Sequence, residues 1–344
     1  MPSVIFIDND QAVLKSVSRT FKLESYNFKL HTINDAKMAF QTILKEDVKV
    51  VIADISLDGF ECKTFYEELI AFDPSIIRIS TTSDYPFMQS FNDNGQTHIT
   101  FNKPINTSHF LEWLNRLFEF KEGSDKDLET YFFSSVKLKS YPENILNIMQ
   151  MLKDTDFQIN ELSSAISNDA NLRVKLLKFV NSSSFGFARQ VTNLKEAIEY
   201  LGVTNISNII KYLNVFSIFE KQNSENSITK TIPYLLDNKI ISPAQSMDLS
   251  FIANLQSFIT DHDIIMDQNS IEKTLAYIMY ILMVDPEICY AVRFSSSPEL
   301  CKIKNPILNI LTLIKFLNKE LDDKFVLNIY GKNKIESLKK GFNK

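Results

Sequence analysis

Polar residues that could do chemistry together fall just after short apolar runs. Asp8, Asn9 and Asp10 follow Val4-Ile5-Phe6-Ile7, and Asp54 follows Val50-Val51-Ile52-Ala53. Thr82 lies in the hydroxyl run Ser80-Thr81-Thr82-Ser83, and Lys103 stands before Pro104 after a further apolar stretch. Carboxylates gathered at one site repel one another unless a cation holds them ionised. Oxygen-only ligands at a solvent-facing rim suit Mg²⁺, which keeps several of its waters. An aspartate in such a setting can attack a phosphoryl donor and carry the group as an acyl phosphate. A lysine ammonium and a threonine hydroxyl beside it then stabilise the charge on the phosphoryl oxygens.

For those residues to meet, the elements between them must bring the run ends together. Strand candidates at 4–7, 28–32, 48–53, 76–80 and 98–101 alternate with helical patterns at 12–23, 35–44, 63–71 and 107–120. In the first helical pattern the apolar face is Val13, Leu14, Val17 and Phe21. Strand–helix alternation of this kind predicts a doubly wound, five-stranded parallel sheet. In such sheets the site lies at the carboxyl ends of the strands, where the polar residues fall.

Taken in order, Val4-Ile-Phe-Ile-Asp-Asn-Asp10, Val50-Val-Ile-Ala-Asp54, Ser80-Thr-Thr-Ser83 and Asn102-Lys-Pro104 closely resemble the receiver domain of two-component response regulators. Thr82 and Lys103 follow Asp54 by 28 and 49 residues, intervals that fit the family. The resemblance implies a flavodoxin-like fold with Asp54 as phosphoacceptor for a sensor histidine kinase. It implies Thr82 and Lys103 as the switch pair that contacts the phosphoryl group. It also implies Mg²⁺ held by Asp8, Asn9, Asp54 and the backbone carbonyl of Ser56, with Asp10 as a further candidate. The chain departs from the family at Asn9, where a second acid is usual; the lost charge is expected to weaken Mg²⁺ binding. After Asp54 it reads Ser56-Leu57-Asp58-Gly59 without the family's proline, and Thr100, with Phe101 beside it, stands at the aromatic switch position.

The stretch 121–130, Lys-Glu-Gly-Ser-Asp-Lys-Asp-Leu-Glu-Thr, is polar and is read as a linker or solvated helix start between a receiver at 1–120 and a helical domain at 131–330. The helical reading rests on apolar steps such as Ile145, Ile148, Met149, Leu152 and Leu172, Leu176, Phe179, Val180. Asp169, Thr192 and Thr204 stand where N-caps are expected. Within 141–210, Tyr141-Pro-Glu143, Glu161-Leu162, Asn168-Asp169-Ala-Asn-Leu172, Asn181-Ser182, Phe185-Gly186, Val191-Thr-Asn-Leu194 and Leu201-Gly202 resemble the HDOD domain, a relative of the HD phosphohydrolases. The resemblance implies an all-α, non-catalytic interaction module with a downstream protein partner. Residues 181–187 are a candidate exposed loop, although packing is favoured for Phe185 and Phe187. Beyond about 220 the resemblance fades, and 331–344, with five lysines against Glu336, reads as a solvated basic tail.

Composition narrows the function further. The 344 residues carry 37 Lys+Arg against 42 Asp+Glu, a formal charge of −5, which disfavours nucleic acid as a partner. Residues 1–120 hold 11 basic and 16 acidic side chains, and the remainder is balanced at 26 of each. Three scattered cysteines, Cys62, Cys289 and Cys301, suit a reducing, cytoplasmic setting rather than a disulfide framework. Carboxylates at Asp8 and Asp10 interrupt any leader, and the apolar run 277–284 is too short to cross a bilayer. Seven glycines leave no glycine-rich phosphate cradle. One alternative is a receiver-controlled phosphohydrolase acting on cyclic dinucleotides. It would need a metal set that the lone His262-Asp263 pair of the second half does not supply. The other is a scaffold whose degenerate receiver works without phosphate; a homodimer is a candidate assembly for either. His31, His98 and His109 have no partner pattern and are read as structural.

Overall fold

The computed structural model describes residues 1–54, 62–83, 96–134, 148, 151–152, 158–181, 191–218, 226–261, 267–321 and 323–342. The chain divides into two compact units, Met1–Glu143 and Asn144–Lys344.

The first unit runs β1 (Ser3–Ile7), α1 (Gln11–Phe21), β2 (Lys29–Ile33), α2 (Ala36–Ile43), β3 (Val48–Asp54), α3 (Cys62–Phe72), β4 (Ile77–Thr82), β5 (Ile99–Asn102), α4 (Thr107–Lys121) and α5 (Lys126–Ser134). All strand pairs are parallel and the order is β2-β1-β3-β4-β5. This is the flavodoxin-like doubly wound order, whose switch point lies between β1 and β3. Val4 to Ile7 and Val50 to Ala53 are buried along their whole length. Continuous apolar runs arise because helices cover both faces of a parallel sheet. Asp10, Asp35 and Asn106 cap α1, α2 and α4 by accepting backbone N–H groups, which sets where each helix begins after its strand.

The polar stretch expected as a linker or solvated helix start does begin a helix, but not a solvated one. α5 begins inside it, and Leu128, Glu129 and Phe133 are buried. Lys121 pairs with Glu129, and the Ser124 hydroxyl lies against both the Lys121 carbonyl and the Glu129 carboxylate. The Phe133 ring packs on His98 at 5.0 Å between centroids. Charges that read as solvated are thus paired in the fold, and the division between units falls after Glu143 rather than at 121–130.

The second unit contains α6 (Ile159–Ser167), α7 (Ala170–Val180), α8 (Leu194–Leu201), α9 (Val203–Ile218), α10 (Ser227–Asp237), α11 (Pro243–Asp261), α12 (Gln268–Ile281), α13 (Pro286–Arg293), α14 (Pro306–Leu317), α15 (Asp323–Tyr330) and α16 (Lys332–Phe342). Among the described residues it has no strand. Asp169 caps α7 as expected, through the Leu172 N–H. The cap of α8 is Asn193 rather than Thr192. Thr204 lies inside α9, because Gly202 at φ +78° ends α8 and lets the next helix start at once. The apolar run 277–284 belongs to α12 and the turn after it and is buried save for Met283, and no helix among the described residues is long and apolar enough to cross a membrane.

The expected basic tail is also a packed element. α16 buries Ile335 and Leu338, and the Lys339 ammonium sits 4.2 Å from the centroid of the Phe316 ring. Lysine stems cover apolar surface while their charged ends stay in water, so a lysine-rich sequence can still dock.

Candidate functional site

At the carboxyl ends of β1, β3 and β5 the structure brings three charged side chains together. Lys103, one residue past β5, donates from Nζ to Asp8 Oδ2 at 2.7 Å and also to Asp54 Oδ2. Asp8 is 0% exposed and Asp54 is 6% exposed. The other Asp8 oxygen accepts from the Asp10 N–H at 2.9 Å, and the Asp8 N–H donates to the Ile33 carbonyl. Thr82 ends β4, buried, and its carbonyl accepts from the Lys103 N–H at 2.8 Å. The register sets Asp54 beside Thr81, one residue before Thr82. Burial pulls the Lys103 ammonium down, and hydrogen bonds and charge from Asp54 and Asp8 more than offset it, so its pKa is raised.

Two buried carboxylates against one ammonium leave a net negative charge. The site therefore retains attraction for a further cation. Mg²⁺ is commonly held by one or two carboxylates together with waters and phosphoryl oxygens, and Asp8 and Asp54 meet that requirement. A cage made of protein ligands alone does not fit: among the described residues no group of three or more His, Cys, Asp or Glu converges. Asp10 spends its carboxylate on the α1 cap, accepting from the Ala12 N–H at 2.7 Å, and Asn9 is exposed. Ser56 lies outside the described residues, as do His262 and residues 182–187. Thr100 is half-buried, while Phe101 packs edge-on against Phe110 and Trp113.

The sequence reading passed over several polar groups that the fold buries. Arg78, in the middle of β4, donates to the carbonyls of Gln96, Pro74 and Ile76, and its own N–H donates to His98 Nδ1 at 3.0 Å. Burial, then the charge of Arg78, pushes the His98 pKa well down; the histidine is a structural acceptor, as expected. An arginine inside an apolar strand was the available signal. In the second unit, Tyr212 donates to Asp248 Oδ1 at 2.6 Å, and burial raises the Asp248 pKa to about 7 with help from Asp285 and Glu287. Glu272, 1% exposed, accepts from the hydroxyls of Ser295 and Ser296 at 2.7 and 2.6 Å and from the Ser296 N–H. Asn181 shows why an amide suits its position: it donates to the Leu177 and Val191 carbonyls and accepts the Val191 N–H. One side chain thereby ties the end of α7 to the approach to α8.

Residues 138–232 match the family model of the HDOD domain. An uncharacterized protein of Treponema pallidum (strain Nichols) is 31% identical over 65 residues, which are 19% of this chain and 13% of the relative's length. Among solved structures, the signal receiver domain of an HD domain-containing protein from Pseudomonas fluorescens Pf-5 is 22% identical with a TM-score of 0.31. That match covers 35% of this chain and 89% of the other. A protein described as a candidate metal-dependent phosphohydrolase from Shewanella amazonensis SB2B is 13% identical with a TM-score of 0.38, covering 58% of this chain and 91% of that one. The chain thus joins a flavodoxin-like, doubly wound α/β unit to a helical unit that carries an HDOD domain.

Proposed function

We propose that the chain is a response regulator in which phosphorylation of Asp54 controls a non-catalytic HDOD interaction module. The observation that carries this reading is the convergence of Asp8, Asp54 and Lys103 from three strand ends, with Thr82 at the end of the strand beside Asp54. In the reaction, an Asp54 oxygen attacks the phosphorus of a kinase phosphohistidine. The P–N bond breaks, the imidazole leaves with a proton from solvent, and an acyl phosphate forms. Asp8 and Asp54, with Asn9 and the Ser56 carbonyl as further ligands, would hold a Mg²⁺ ion, which would supply charge neutralisation at the phosphoryl oxygens.

Lys103 starts on both carboxylates, so the new phosphoryl group competes for its ammonium. The Thr82 hydroxyl is the second donor for the same oxygens. The phosphoryl adds about −1.5 to −2 charges to a rim that is already negative, which reorganises the β4 and β5 ends that carry Thr82 and Lys103. The HDOD domain then gains or loses a protein partner, or a second copy of the chain. That it does so without turnover is supported by the single histidine of the second half, His262. The scattered cysteines support a reducing, cytoplasmic setting.

The test is intact mass after incubation with a small-molecule phosphodonor and Mg²⁺, with Asp54→Asn alongside. One phosphoryl added to the wild type alone is expected. No adduct on the wild type at saturating Mg²⁺ would replace this reading with a phosphate-independent scaffold, which the exposed Asn9 and the helix-capping role of Asp10 favour.

A further inference from the structure

A cleft of about 600 Å³ runs between α1 and the edge strand β2, reaching Asn34 just past the strand. Cavities of roughly 300–1,000 Å³ are the size that small-molecule ligands occupy. Its charged lining is wholly basic: Lys15, Arg19 and Lys22, three of the 11 cations of residues 1–120. All three are exposed, and among the described residues none forms an ion pair. The neighbouring carboxylates are committed elsewhere. Asp10 and Asp35 cap helices, Glu24 accepts from the Tyr26 hydroxyl, and none of them lines the cleft.

The spacing is costly to the helix. Lys15 and Arg19 are four apart and Arg19 and Lys22 three apart, so like charges sit next to each other on one face. The helix dipole favours a cation in the last turn and accounts for Arg19 and Lys22, but not for Lys15 in the middle of α1. Around the cations stand neutral hydrogen-bonding side chains, Ser18 and Thr32 (hydroxyls 3.1 Å apart) and Asn34. Leu23, a large apolar side chain left 76% exposed, forms part of the rim.

We propose that this cleft binds a soluble small molecule carrying two or more phosphate groups and an apolar or ring portion. Seven residues separate Lys15 from Lys22, about 10 Å along the helix axis, so the three cations match a polyphosphate or bisphosphate better than a single anion. Arg19, central in the row, has the planar guanidinium that grips phosphate with two parallel hydrogen bonds. Leu23 offers the surface against which a base or aliphatic part rests. The cleft is open to solvent, with its cations exposed along one side, so a soluble small molecule can lie along the row. Leu23 alone offers little apolar surface for insertion into a bilayer. None of Asp8, Asp54 and Lys103 lines the cleft, and the inference does not depend on phosphorylation of Asp54.

The test is calorimetric titration of the full chain with ATP and with inorganic pyrophosphate, in EDTA at fixed ionic strength, with inorganic phosphate as the comparison. Saturable one-to-one binding of ATP or pyrophosphate, tighter than that of phosphate, is expected. Arg19→Gln should weaken it by about tenfold. Lys15→Gln/Arg19→Gln/Lys22→Gln should abolish it without lowering thermal stability, because Gln keeps helix propensity and relieves the like-charge repulsion. Absence of binding, or equal binding by the triple variant, overturns the proposal. Binding lost in Asp54→Asn but kept in the triple variant would place the anion at the strand ends instead, and also overturns it. So does binding of the wild type to vesicles of anionic phospholipid without binding of either soluble probe.

Discussion

The two units bury charge in opposite ways. In the α/β unit, Asp8, Asp54 and Lys103 arrive from strands far apart in sequence and meet at a rim, with two carboxylates sharing one ammonium. In the helical unit, Glu272 is enclosed by donors: two serine hydroxyls and a backbone N–H from the turn after α13, and Gln268 four residues before it. Lys315 completes that cluster by donating to the Ser295 carbonyl at 2.6 Å, with its pKa lowered by burial. The first arrangement leaves charge uncompensated and holds it at the edge of the fold, where a cation or phosphoryl group can complete it. The second is complete in itself and joins α12 to the turn after α13 and to α14. A buried charge is therefore a stronger pointer to ligand chemistry when its partners are too few than when it is merely buried.

The largest effect that separates the two is expected at Glu272. Glu272→Ala leaves the Ser295 and Ser296 hydroxyls and the Ser296 N–H without their acceptor and removes the carboxylate whose charge favours the Lys315 ammonium. Breaking a buried charged network costs about 3–5 kcal/mol. Urea unfolding of the helical transition would measure it. A loss under about 1 kcal/mol, the ordinary range for surface positions, would mean that the cluster is solvated and that the contrast between the units fails.

The α/β unit was legible because its strands are covered on both faces. The runs at 4–7 and 48–53 contain no polar residue except Lys49, so period and length alone mark them as strands, and strand order places Asp8, Asp54 and Lys103 at one end. What could not be read was the local use of side chains. Nothing in Asp8-Asn9-Asp10 says that the third residue spends its carboxylate on a helix cap while its N–H holds the first. Polar text misled in the same way at 121–130, where Glu129 is buried by a lysine and a serine of neighbouring turns, and at α16, where lysines ride over an apolar seam. Periodicity reports which face is apolar; pairing of charges is decided by tertiary contacts that it does not contain.

Asp248 supplies the next contrast, through pH. Its unfolded value is near 3.8 and its folded value about 7, so the folded state holds a proton that the unfolded state has released over that window. The stability this contributes is fully present below pH 4 and is lost as pH rises through 7. The full range corresponds to a change on the order of 4 kcal/mol. Asp248→Asn should flatten the fall in helical-unit stability between pH 4 and 7.5, and a variant whose profile parallels the wild type would show that the carboxyl is not titrating there. Tyr212 keeps an acceptor in the asparagine, so its stacking on Phe251 at 4.0 Å is preserved in the comparison.

The smallest expected effect on stability is at Asp54, and it is the most informative about the strand-end pocket. Asp54→Asn removes one of two neighbouring carboxylates and leaves Lys103 paired with Asp8 at 2.7 Å. The lost attraction to the ammonium is offset by relief of carboxylate repulsion, and the amide oxygen can still accept from Nζ. The net change should stay within about 1 kcal/mol in either direction. A destabilisation as large as that expected for Glu272→Ala would make Asp54 a structural partner of Lys103, a buried pair of the kind seen in the helical unit. Near-neutral stability, together with complete loss of the phosphoryl adduct, would instead mark a carboxylate retained for chemistry, because folding alone would not require its charge.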